Sequence, residues 1–122
     1  MVMLYKTTVN KIGVLSSAFA DENMLILFGE GAPEELVDYC LSIDINPVES
    51  DFKEGDELLL GGKSYKVTAV GGAVAQNLAS LGHITLKFDG SHAAELPGTL
   101  YLEEKPLPEV LVGDTIQIQR WS

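Results

Sequence analysis

With 122 residues, 46% of them hydrophobic and 21% charged, the chain has the size and composition of one globular domain, which excludes a disordered or collagen-like polymer. Its 8 Lys and Arg against 18 Asp and Glu give a formal charge of −10, a field that repels phosphate backbones and argues against nucleic acid as a partner. Cys40 is the only cysteine, the longest strongly apolar run (Met24 to Phe28) is far too short to cross a bilayer, and no basic-then-apolar leader is visible, so the sequence points to a cytoplasmic protein without membrane insertion.

In chain order, Val2 to Val14 carries β-branched and apolar residues up to a glycine at Gly13 and predicts a strand. Met24 to Phe28 predicts a second, compact strand closed by Gly29 and Gly31. Ala32 to Cys40 has Pro33 in its first turn and Glu34 and Glu35 near the positive end of a helix dipole, which predicts a short helix ending at Tyr39 and Cys40. Glu57–Leu60 and Ser64–Val70, joined by Gly61-Gly62, predict a tight hairpin, because paired glycines supply the positive φ of a primed turn. Across 72–82, Val74, Leu78 and Leu81 recur at helical intervals and Gly82 stands where a C-terminal cap would, predicting a second short helix. From His83 to Asp89, Ile84, Leu86 and Phe88 share one face of a half-buried strand. Thr99 to Glu103 and Thr115 to Trp121 follow the same rule, with Ile116 and Ile118 inward. Six or so strands and two short helices predict a mainly β fold, a small closed or nearly closed β-barrel occupying residues 1–122 as a single domain, since closure removes exposed sheet edges.

Acidic residues concentrate in one stretch. Twelve lie between Asp21 and Glu57, with Lys53 the single base among them. A solvated acidic face is the ordinary reading; steering of a basic partner is the alternative.

Few groups suggest chemistry. Gly62-Lys63-Ser64 resembles the end of a phosphate loop, but Glu57 stands where that motif needs glycine, and the hairpin accounts for it. Glu34 and Asp38 share a helical face without requiring a function, and Asp89, His92 and Glu95 form a loose set without metal-ligand spacing. Neither a metal nor a cofactor is expected. Nothing near Cys40 would activate its thiol. Of the two histidines, His83 starts a strand after Leu81-Gly82, where its imidazole is either a hydrogen-bonding group or a nucleophile able to carry a phosphoryl group; His92 lies in a polar loop.

Several stretches together carry a family resemblance: Leu25 to Cys40, Tyr65 to Gly71, Asn77 to Gly90, and Ala94 to Thr99. They resemble the glucitol/sorbitol-specific IIA component of the bacterial sugar phosphotransferase system, almost end to end. The most specific piece runs from Asn77-Leu78 to Phe88-Asp89-Gly90, followed by Glu95-Leu96-Pro97-Gly98-Thr99. The resemblance implies a cytoplasmic β-barrel protein that takes a phosphoryl group on histidine from the histidine-containing phosphocarrier protein. It would pass that group to the IIB domain of a sugar permease. The family's acceptor histidine lies shortly after the Tyr-Cys pair, yet here Leu41-Ser-Ile-Asp-Ile45 holds no histidine and Ile43 occupies the place. Two readings follow: a phosphocarrier that works through His83, or a non-catalytic regulatory or binding module that has lost the acceptor. A plain ligand-binding barrel is a weaker third.

Overall fold

The computed structural model describes residues 1–121; Ser122, the last residue of the expected domain, lies outside the described residues. Among them, eight strands close into a barrel: β1 (Val2–Ile12), β2 (Met24–Gly29), β3 (Cys40–Ile43), β4 (Glu57–Leu60), β5 (Lys63–Val70), β6 (Ile84–Lys87), β7 (Thr99–Leu102) and β8 (Thr115–Arg120). Two helices, α1 (Glu34–Val37) and α2 (Val74–Leu81), and a 3-10 turn at Ala20–Glu22 complete the elements. Around the barrel the order is β1-β3-β2-β6-β7-β5-β4-β8, so every strand has two neighbours and no edge is left open. β2 runs parallel to β3 and β6 parallel to β7, while the remaining neighbours are antiparallel.

Alternation places the side chains as the sequence suggests. Ile84, Leu86, Ile116 and Ile118 are all at most 1% exposed and meet Leu58, Val67, Leu100 and Leu102 inside the barrel. Each such burial contributes about 1.5–3 kcal/mol relative to exposure. Tyr65 and Phe88, both in this core, cross edge to face with ring centroids 4.8 Å apart. Gly61 and Gly62 take φ of +60° and +78°, the double positive φ that the β4–β5 hairpin requires.

One element differs from expectation. The helix expected through Cys40 stops at Val37, and Cys40 opens β3 instead. Extending the helix would carry Leu41 and Ile43 away from the core; as a strand pairing in parallel with β2 and antiparallel with β1, the same segment buries them to 2% and 0% exposure. Burial of these two aliphatic side chains outweighs the propensity of a helix that has only four residues. No helix among the described residues is long and apolar enough to cross a membrane.

Candidate functional site

Where α2 ends, the chain must turn at once into β6, and glycine makes that turn possible. Gly82 has φ of +66° and its N–H caps the helix at the carbonyls of Asn77 and Leu78. A side chain there would strike the backbone of Gly29, with a Cβ only 2.8 Å from its nitrogen, and a side chain on Gly29 would in turn collide with Ile45 and the Leu81 carbonyl. The paired glycines thus let the end of α2 lie directly against the end of β2. His83 emerges from this junction.

Its imidazole is half-buried on the outer face of the barrel. β6 pairs with β2 so that Ile84 faces Leu27, which sets His83 beside Phe28. The two rings stack with centroids 4.3 Å apart and an interplanar angle of 23°. Nδ1 lies 3.1 Å from the Leu27 carbonyl oxygen. A carbonyl can only accept, so Nδ1 is the donor in that bond, and in the neutral ring the free lone pair is on Nε2. The backbone N–H of His83 is also engaged, donating to the Asn77 carbonyl at 3.3 Å. Stack, ring bond and backbone bond hold the ring in one orientation with one nitrogen available for attack.

The other candidates are arranged differently. His92 is 74% exposed in its side chain, and its Nδ1 meets the Glu54 carboxylate, 3.0 Å away and itself 59% exposed. Cys40 is buried with Sγ donating to the Leu36 carbonyl at 3.2 Å, and burial pushes its thiol pKa up, so it is no nucleophile near neutrality. Glu34 and Asp38 both face solvent at the two ends of α1. Among the described residues, no group of three or more His, Cys, Asp or Glu side chains converges to hold a metal ion, and Asp89, His92 and Glu95 are not brought together as one.

Comparison with known proteins bears on what this geometry is for. The family model for the PTS system glucitol/sorbitol-specific IIA component matches residues 4–117. The chain belongs to this IIA family. It is 35% identical to the glucitol/sorbitol-specific EIIA components of Shigella flexneri and of Escherichia coli strain K12, in each case over 98% of this chain and 97% of that protein. The crystal structure of a PTS system IIA component from Enterococcus faecalis V583 superposes with a TM-score of 0.84 at 31% identity, covering 94% of this chain and 99% of that one.

Within this IIA family member, Ile43 stands where the resemblance puts an acceptor. It is fully buried, opposite Gly29 on β2 and Val9 on β1, in the barrel core. Nothing on that side chain can be phosphorylated. Sequence reasoning singled out His83 but missed its supports, Phe28, Gly29 and the Leu27 carbonyl. The aromatic at the end of an apolar strand was a visible signal, but it could be connected with His83 only through the β2–β6 register.

Proposed function

We propose that this chain is a phosphocarrier of the sugar phosphotransferase system and that His83 carries the phosphoryl group. The donor is the histidine-containing phosphocarrier protein, the acceptor the IIB domain of a glucitol/sorbitol-type permease, and the setting cytoplasmic. The observation that carries the reading is the Nδ1 bond to the Leu27 carbonyl beneath a ring stacked on Phe28. It leaves Nε2 as the attacking atom.

In the forward step the Nε2 lone pair forms a bond to phosphorus while the phosphorus–nitrogen bond of the donor's phosphohistidine breaks, the electron pair returning to the donor ring. The second transfer repeats this with phospho-His83 as donor. Phosphoryl transfer needs in-line positioning and water exclusion more than covalent assistance, and a ring held by stacking and by its second nitrogen has little orientational freedom left to lose. The Leu27 carbonyl also stabilises the Nδ1–H as charge changes at Nε2.

The test is incubation of the intact protein with phosphoenolpyruvate, the general phosphotransferase enzyme and the phosphocarrier protein, followed by intact mass. Addition of one phosphoryl group, lost in His83→Ala and retained in His92→Ala, supports the reading. Absence of any mass gain in the parent protein rejects it. That outcome favours the second reading, a binding module that kept the family's barrel without its chemistry, for which the buried Ile43 is the supporting observation.

A further inference from the structure

The connection that carries the chain from β6 to its parallel neighbour β7 folds back over the outside of the barrel. All four residues of β7 are buried, although alternation turns only Leu100 and Leu102 into the core. Thr99 and Tyr101, on the other face, are 3% and 4% exposed beneath the connection. This cover is pinned along both edges. Thr68 Oγ1 donates to the Ser91 carbonyl at 2.6 Å and the Gly90 N–H to the Leu102 carbonyl at 2.8 Å. At the other edge, the Leu96 N–H donates to the Tyr101 hydroxyl and the Thr85 N–H to the Gly98 carbonyl, each at 3.0 Å. Between cover and sheet remains a cavity of about 290 Å³, at the small end of ligand sites.

Its walls hold groups that the fold leaves unused. Lys87 and Tyr101 are direct neighbours in the β6–β7 register, as are Thr85 and Thr99, and all four line the cavity. The Tyr101 oxygen accepts from Leu96, so its own hydrogen is still to be donated, and among the described residues no protein group takes it. Asp89 and Glu95 line the same cavity; Asp89 accepts the Ser91 N–H at 3.0 Å on one oxygen and keeps the other free. Lys87 and Asp89 are half-buried and two residues apart, yet among the described residues neither they nor Glu95 are ion-paired. Opposite charges partly withdrawn from water that face one cavity without meeting bear a desolvation cost, which a ligand bridging them would offset.

We infer that this cavity binds a small dipolar molecule of the α-amino-acid class, its carboxylate received by Lys87 and the Tyr101 hydroxyl and its ammonium by Asp89 and Glu95. Charge selects the class. One lysine against two carboxylates repels a phosphate dianion, and an uncharged polyol leaves Lys87 and Asp89 without counter-charges. The two threonine hydroxyls remain for the ligand's side chain. Because hydrogen bonds already hold the cover, binding does not have to order it. The cavity begins two residues along β6 from His83 and uses neither histidine, so it stands apart from the phosphocarrier reading.

The experiment titrates the intact, isotope-labelled protein with each of the common L-amino acids and follows backbone amides by NMR. At least one should bind saturably at millimolar concentration or below, with shifts concentrated at 85–89, 91–96 and 99–101. The N-acetyl derivative and the carboxamide of that amino acid, which lack the ammonium and the carboxylate charge respectively, should each bind about tenfold more weakly or worse. Lys87→Met and Asp89→Asn should weaken binding by a similar factor, whereas Lys63→Met, at the start of β5, should leave it unchanged. Absence of binding by every amino acid, shifts elsewhere, derivatives that bind as well as the amino acid itself, unaltered affinity in both cavity variants, or saturable binding of inorganic phosphate or sorbitol at the cavity in its place would each overturn the inference. The derivative comparison uses the unaltered protein and so decides the question even where a variant fails to fold. Amino-acid binding in a protein that gains no phosphoryl group would reject the His83 chemistry and leave this site standing. Phosphorylation of His83 without amino-acid binding would do the reverse.

Discussion

The imidazole of His83 stacks against Phe28 and is tied through Nδ1 to a backbone carbonyl, whereas that of His92 is 74% exposed and touches one exposed carboxylate. The side chains are chemically identical. What separates them is where the chain has already lost its freedom: His83 follows a capped helix and enters a barrel strand, and His92 sits in the connection between β6 and β7. Ordering a ring at the moment of reaction costs entropy that a preorganised ring has already lost on folding. The barrel's contribution to the proposed chemistry is thus a fixed orientation, and the difference between the two histidines can be attacked from either side.

The largest expected effect comes from removing the ring stacked against His83. Phe28→Ala deletes a ring that is 9% exposed and should destabilise the protein by about 2–4 kcal/mol. It should also slow phosphorylation by about tenfold or more under conditions where the variant is still folded. Chemical denaturation and initial-rate measurements separate the two effects. An unchanged rate in a folded variant would mean that stacking is only structural.

Next in size is the junction itself. Gly82→Ala forces a Cβ into a left-handed residue and against the Gly29 backbone, for an expected cost of about 1–3 kcal/mol. Gly62→Ala, with φ of +78° but open space around it, should cost about 1 kcal/mol. Equal losses at the two sites would show that backbone strain alone, without the close approach to β2, accounts for Gly82.

Buried phenols provide a smaller and pH-dependent contrast. Tyr65 donates to the Pro106 carbonyl at 2.9 Å, while the hydroxyl of Tyr5 is buried with no hydrogen-bond partner among the described residues. Burial pushes the Tyr5 pKa up from 10.0 to about 12. The folded state therefore holds this proton more tightly than the unfolded chain. Stability is unaffected by Tyr5 below about pH 10, then falls as pH rises towards 12, because the unfolded chain ionises first. Tyr5→Phe should be neutral or stabilising by up to about 1 kcal/mol at pH 7 and should flatten the alkaline decline, whereas Tyr65→Phe should cost about 1 kcal/mol. Denaturant midpoints between pH 7 and 11 give both answers.

Smallest of all is the support of the exposed histidine. Glu54→Gln removes the charge beside the His92 ring and should change neither the thermal midpoint nor the phosphorylation rate measurably, because exposed pairs of this kind contribute little. A marked loss of phosphorylation in Glu54→Gln would shift attention to the wrong-looking histidine.

Much of this architecture was legible in the chain. The β4–β5 hairpin follows from Gly61-Gly62 between two apolar runs, and the inward faces of β6 and β8 follow from simple alternation. The end of α2 at Gly82 was equally visible. β3 was not, because Cys40-Leu-Ser-Ile43 is too short to show a period and directly continues a helical pattern; only the neighbouring strands β1 and β2 reveal it. The same holds for the candidate site. His83 could be singled out from its place at a helix-to-strand junction, but Phe28 is far away in sequence and meets it through the pairing of Leu27 with Ile84. Local patterns gave the elements, and non-local register supplied the contacts that distinguish one histidine from the other.

The most direct measurement is nitrogen-resolved NMR of the two imidazoles before and after exposure to the complete phosphorylation system. In the unmodified protein His83 should be the tautomer with hydrogen on Nδ1, and after phosphorylation the phosphorus coupling should appear at its Nε2, with His92 unchanged. Phosphorus on Nδ1 of His83, on His92, or on neither ring would contradict the account.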